Sequence, residues 1–202
     1  MPSSEFRTRD QFPALMTQWG LTGVGVEVGT FRGEYACHLL AHWPGVLHCV
    51  DPWEYQPGFH DLLNTKNLPK DFEYAKAALA GYVNRGRCGI HRGFSADVAS
   101  RWPDYNTDRL PRVPLDWVYI DALHDYDSAL ADLRAWAPLI KPGGVLAGHD
   151  YLDQPAEGPG GTDFGVVSAV RTWCEENGYD VGKCVLVTTA DPYPSFVIRL
   201  RA

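Results

Sequence analysis

The chain lacks any stretch long and apolar enough to span a bilayer. Its first ten residues carry Glu5, Arg7, Arg9 and Asp10 and lead into no apolar run, which speaks against a secretory signal. Cysteine is sparse and unpatterned. Cys37, Cys49, Cys88, Cys174 and Cys184 are odd in number and never stand in C-x-x-C spacing. That argues against a disulfide framework or a cysteine zinc site and points to a reducing, cytoplasmic setting. An excess of positive charge is missing as well. The formal net charge is −7, so a general binder of nucleic acid or of anionic membrane is not expected. No internal repeat and no linker interrupts the sequence. With 202 residues, 45% of them hydrophobic, the chain reads as one domain with a substantial core, residues 1–22 forming an N-terminal helical extension.

What is present is an alternation of apolar runs and helical stretches. Strands are expected over 24–28, 46–50, 88–92, 115–121, 145–147, 184–188 and 195–200. Helices are expected over 33–42, 72–84, 95–101 (with Ser95 as N-cap), 126–140 and 166–177. Alternation of this kind means βαβ units, hence an α/β fold with a mostly parallel sheet covered on both faces. The last two strands have only Asp191-Pro192-Tyr193-Pro194 as a turn between them, so they should pair antiparallel.

The most informative stretch runs from Val24 to Leu40. A buried strand ends in the acidic Glu27, a glycine turn follows, and a helix begins at once. A dinucleotide fingerprint would read G-x-G-x-x-G, with a pyrophosphate on the helix N-terminus. Here the pattern is Glu27-x-Gly29-x-x-x-Gly33. Glycine allows a bound small molecule to approach the backbone, but an acid beside the turn is a poor neighbour for phosphate. The pattern suits a ligand with a nucleoside and a positive charge, and S-adenosylmethionine is such a ligand. Asp51, at the end of the next strand, stands where nucleoside-binding folds place a carboxylate for ribose hydroxyls. Trp53 either stacks on adenine or packs beneath a loop.

Two segments carry a resemblance to a known family: Gly25-Val26-Glu27-Val28-Gly29-Thr30-Phe31-Arg32-Gly33, and the run from Asp116 to Tyr151. The second holds Val118-Tyr119-Ile120-Asp121-Ala122-Leu123-His124-Asp125-Tyr126 and Pro142-Gly143-Gly144-Val145-Leu146-Ala147-Gly148-His149-Asp150-Tyr151. Together they resemble class I S-adenosylmethionine-dependent methyltransferases, in particular the small-molecule O-methyltransferases that include macrocin O-methyltransferase and cephalosporin-hydroxylase-like proteins. The resemblance implies a Rossmann-like seven-stranded sheet in the order 3-2-1-4-5-7-6 with strand 7 antiparallel. It places Glu27, Gly29, Thr30, Gly33, Asp51, Trp53, Ser95 and Asp121 around the cofactor, with Gly93 and Phe94 beside Ser95. This chain has Ala122 and Leu123 where the family usually has Gly and Asp, so one carboxylate is missing from that turn.

Asp121, His149 and Asp150 end two successive parallel strands and should meet at the carboxyl edge of the sheet. In the resembling enzymes, acidic groups at these positions hold Mg²⁺, which orients substrate hydroxyls and lowers their pKa. A histidine with two carboxylates suits Mn²⁺, Fe²⁺ or Zn²⁺ equally. The alternative is no metal, with His149 as base. His124 is either a general base for the attacking hydroxyl or a residue at the start of the following helix. Segments 54–70 and 154–163 are not needed to build the sheet and should cover the substrate. Phe6, Phe12 and Trp19 read as exposed aromatics available to a subunit contact in a homo-oligomer. The expected activity is methylation of a hydroxyl on a small molecule such as a sugar or natural product. A nicotinamide-dependent oxidoreductase and a non-catalytic cofactor-binding homologue are the alternatives.

Overall fold

Val24–Val28 (β1) is buried at all five positions and Leu115–Ile120 (β4) at all six. Neither shows the in–out alternation of a half-exposed strand, because helices cover both faces of the sheet. The computed structural model describes residues 6–56, 68–102, 110, 114–155 and 161–202. The other strands of the main sheet are Val46–Asp51 (β2), Cys88–Arg92 (β3), Ile140–Gly148 (β5), Val185–Val187 (β8) and Phe196–Arg199 (β9). The spatial order is β3-β2-β1-β4-β5-β9-β8. The first five strands pair parallel, and β9 runs antiparallel to both β5 and β8. Counting only main-sheet strands, this is the expected order 3-2-1-4-5-7-6.

Side chains alternate between the two faces, so one sheet feeds two cores. Val26, Val28, Val118, Ile120 and Leu146 point to one face. There they meet Ser95–Ser100 (α4), Tyr126–Trp136 (α5) and Val166–Glu176 (α6). Leu47, Cys49, Trp117, Tyr119 and Val145 point to the other, against Phe12–Gln18 (α1), Glu34–His42 (α2) and Leu68–Asn84 (α3).

Phe12 is fully buried, edge-on to Trp117 at 5.2 Å and to Tyr119 at 5.1 Å, and Phe6 is buried beside it. Trp19 is half-buried, with the Arg199 guanidinium 5.0 Å from its ring. Phe6 and Phe12 thus belong to the core, contrary to the expectation of exposed rings, and Trp19 packs partly buried against it. Helix α5 ends at Trp136, earlier than the spacing suggests. A 3₁₀ turn, Ala137–Leu139, leads straight into β5, which begins at Ile140. The Pro142-Gly143 step is absorbed as a register shift against β4. Two elements escape the sequence reading: a short antiparallel pair, Asp153–Gln154 (β6) with Phe164–Gly165 (β7), and a one-turn helix, Val181–Cys184 (α7). Ser95 is the first residue of α4, with Phe94 as its N-cap. The Ser95 hydroxyl instead accepts from the Trp136 indole N–H at 2.8 Å. All five cysteines are free thiols. Among the described residues, no helix is long and apolar enough to cross a membrane.

Candidate active site

Backbone pairing continues one step past the strand ends, and this sets the register of the site. Gly29 N–H donates to the Val50 carbonyl (2.8 Å), Asp121 N–H to Val28 (2.7 Å) and His149 N–H to Ile120 (2.9 Å). The residues after β1, β4 and β5 therefore lie side by side at the carboxyl edge. Here the strand order reverses between β1 and β4, and open α/β sheets bind ligands at such a point. A cavity of about 800 Å³ opens there.

Gly29 has φ +90°, and a Cβ on it would lie 1.9 Å from the Asp121 carbonyl oxygen. The turn can be made only by glycine. Phe31 and Trp53 also hold positive φ, +50° and +45°. Asp51 explains how both are kept: its Oδ2 accepts from Phe31 N–H at 2.9 Å and its Oδ1 from Trp53 N–H at 2.7 Å. Burial pushes the Asp51 carboxyl above its usual value, and these two N–H donors oppose the rise.

Glu27 is 1% exposed, yet it lines the cavity, and its Oε2 has no hydrogen-bond partner. Burial pushes its carboxyl up to about 8. Thr30 stands in the same wall. At another part of the cavity Gly93, Phe94 and Ser95 meet Asp132 of α5, whose carboxyl burial raises to about 6 against the opposing Ser95 hydroxyl.

A third group gathers Asp121, His124, His149 and Asp150, with Phe164 and Tyr193 in the same lining. His149 Nδ1 is 3.0 Å from Asp150 Oδ2 and 3.5 Å from Asp121 Oδ1. Burial disfavours the charged ring, but these two carboxylates outweigh it and hold the imidazole at about 9. Burial likewise works against an ionised Asp121, and His149, Arg9 and His124 overcome it and keep that carboxyl below its usual range. His124 Nδ1 lies 3.3 Å from Asp150 Oδ2, and its ring stacks on Phe164 at 5.4 Å. Asp150 has φ +50°, a strained backbone that aims its carboxylate between the two imidazoles.

Of the residues singled out from the sequence, Glu27, Gly29, Thr30, Asp51, Ser95, Asp121, His124, His149 and Asp150 line the cavity. Gly33 and Trp53 are not in its lining. Gly33, at φ +85°, caps α2, where a Cβ would touch Leu79 at 3.4 Å. Trp53 packs beneath the loop, fully buried, its indole N–H on the Phe31 carbonyl at 2.6 Å and its ring on Phe72 at 4.7 Å. Glu54, Gln56 and Leu68 from one covering segment and Gln154, Gly161 and Thr162 from the other reach the cavity. Residues 57–67 and 156–160 of those segments, Phe59 among them, lie outside the described residues.

Among the lining residues not foreseen, Asp132 and Arg9 carry charge into the site. Asp132 shares the buried stripe of α5 with Ala129, Leu133 and Trp136. An acid at an apolar i, i+3, i+4, i+7 position was the available signal. Arg9 gave no such signal. It lies 112 residues from Asp121 in the chain, yet its Nη1 is 3.2 Å from Asp121 Oδ2.

The ligand atoms of Asp121, His149 and Asp150 lie within 4.8 Å of one another, a donor set of the right kind for a divalent cation. Those atoms already serve one another and Arg9. A guanidinium sits on one Asp121 oxygen, and the imidazole nitrogen shared by the two carboxylates faces the other. An added divalent ion would meet the fixed guanidinium on Asp121, which cannot lose its charge, so the cluster as arranged does not fit one.

A cleft over the switch point of this sheet defines a ligand-binding α/β protein. Residues 26–151 match the family described as methyltransferase domain, and the chain belongs to that family. Solved structures share the fold. The O-methyltransferase TomG of Streptomyces achromogenes, involved in tomaymycin synthesis and solved with S-adenosylmethionine, is 17% identical; the match covers 95% of this chain and 78% of that one, with a TM-score of 0.60. A Bacillus cereus O-methyltransferase, solved with S-adenosylhomocysteine, is 16% identical, with 98% and 84% covered and a TM-score of 0.62.

Proposed function

We propose that this methyltransferase uses S-adenosylmethionine to methylate a hydroxyl of a small molecule. The carrying observation is Glu27: a buried carboxylate with an unpartnered oxygen, facing the same cavity as the Asp51 carboxylate. A buried carboxyl with an orphaned oxygen is costly to ionise until a cation arrives, and the methionine end of S-adenosylmethionine brings an ammonium. Asp51 retains acceptor capacity for ribose hydroxyls, and Asp132 with Ser95 faces the base. When bound, the cofactor supplies a methyl group on a positively charged sulfur, open to attack by an oxygen.

The remaining chemistry belongs to the protein's own residues. The acceptor hydroxyl loses its proton to His124 Nε2. Asp150, at 3.3 Å from Nδ1, keeps the proton of the neutral ring on Nδ1 and stabilises the imidazolium that forms. His149 already carries its proton between two carboxylates and acts as a donor that orients, not as the base. Phe164 and Tyr193 offer the acceptor an apolar, aromatic wall. Both structural neighbours are O-methyltransferases, which supports an O-methyl acceptor, and TomG's place in tomaymycin synthesis supports a small one.

Isothermal titration of S-adenosylhomocysteine tests the cofactor, with micromolar binding expected; no binding overturns the reading. Transfer of labelled methyl to a panel of hydroxylated small molecules tests the rest. His124→Asn should lower turnover by about 10²-fold or more while S-adenosylhomocysteine affinity stays within about twofold. Unchanged turnover would remove His124 as base.

A further inference from the structure

The acceptor end of the cavity already contains a fixed cation. Arg9 reaches it from the N-terminal segment, and the segment is tied down on two sides. Arg9 N–H donates to Asp191 Oδ2 at 2.7 Å, and the Thr189 and Ala190 N–H groups donate to the Arg7 carbonyl at 3.1 and 2.9 Å. On the other side, the Tyr35 hydroxyl donates to the Arg9 carbonyl at 3.0 Å, and the guanidinium lies 4.2 Å over the Tyr35 ring. These contacts aim Nη1 at Asp121 Oδ2, 3.2 Å away, in the lining of the cavity.

We propose that Arg9 is the resident cation of this site, standing where a divalent ion would otherwise act, with Asp121 as its counter-ion and not a metal ligand. A guanidinium cannot lose its proton in a protein, and its planar fork presents several N–H donors at once. One can be spent on Asp121 while another points into the cavity. The exclusion of metal follows from this geometry alone. The catalytic consequence rests on the proposed methyl transfer: Arg9 hydrogen-bonds the acceptor oxygen while its proton passes to His124. The oxygen's electron pair forms the new C–O bond, and the C–S electrons return to sulfur.

The experiment is a Mn²⁺ titration followed by the paramagnetic resonance signal of the free ion. It uses the 202-residue wild type, Arg9→Met, Arg9→Lys and the double variant Arg9→Met/Asp121→Asn. Wild type and Arg9→Lys should leave Mn²⁺ free. Arg9→Met, with the acid pair uncovered, should bind it roughly tenfold tighter or more, and Asp121→Asn should abolish that gain. Equal affinity in wild type and Arg9→Met, whether tight or absent, would overturn the proposal. Circular dichroism melting checks each fold, and Arg9→Gln replaces the Met variant if that one does not melt cooperatively. S-adenosylhomocysteine binding, measured in parallel on wild type, reports on the methyltransferase reading separately. Its absence would remove that reading and leave the metal result standing.

Discussion

A carboxyl sealed at the end of a strand, with one oxygen lacking a partner, is costly until a cation arrives. Glu27 is in that position, and its pKa of about 8 against an ordinary 4.5 expresses the cost of ionising it. Between those values the folded protein holds a proton that the unfolded chain has lost, so its stability falls as pH rises from about 4.5 to about 8. Glu27→Gln keeps the shape without the titration. Its urea-unfolding free energy should gain on wild type across that window by an amount on the order of a few kcal/mol; parallel curves would show that Glu27 does not titrate there. A ligand ammonium that favours the ionised form should expel the proton. Wild-type affinity for S-adenosylhomocysteine should therefore climb between pH 6 and 8, with proton release visible in calorimetry across buffers of different ionisation enthalpy, as expected from about 8 in the free protein. The glutamine variant should bind more weakly and release none. Glu27 and Gly29 were readable because an acid and a glycine at fixed spacing have a local reason to be there. Gly33 and Trp53 share the same spacing logic, but their side of the turn faces α3, which no local pattern reveals.

At the scale of elements, the N-terminal helix corrects the sequence reading most. Seven residues make too little helix for a periodic stripe to show which side is buried, so Phe12 could be read as a surface ring. The structure sets it against Trp117 and Tyr119, whose strand supplies Asp121 two residues on. Helix α1 and the strap before it are therefore one device: the helix anchors in the core and the strap presents Arg9. Phe12→Ala should cost about 3–5 kcal/mol, read from the denaturation midpoint at constant slope. It should also loosen the Arg9–Asp121 pair, so that the variant begins to bind Mn²⁺. A loss below about 1 kcal/mol would mean that α1 is not packed as described. Central strands and covering helices were legible because their runs are long and apolar. The β6–β7 pair and α7 were not, since two to four residues carry no period.

On the scale of the whole molecule, alternation of strands and helices implies a parallel sheet, but it does not say which strand neighbours which. That order came from the resemblance of two motifs, because crossover direction is a property of packed units and not of local spacing. The order has a physical consequence: it puts the ends of β1, β2, β3, β4 and β5 around one cleft, so a ligand there ties five strands together. S-adenosylhomocysteine at about a hundred times its dissociation constant should add about 2.7 kcal/mol of stability. For a chain of this length each kcal/mol is worth about 2–4 °C, which gives a rise in melting temperature of roughly 5–10 °C. NAD⁺ should give none. The acid at Glu27 would face its pyrophosphate, and the turn lacks the G-x-G-x-x-G spacing that receives one. EDTA should change neither melting curve if Arg9 is the site's cation. A shift with NAD⁺ and none with S-adenosylhomocysteine would reassign the cleft to a nicotinamide cofactor. An EDTA-sensitive rise would keep the methyl donor and return a metal to Asp121.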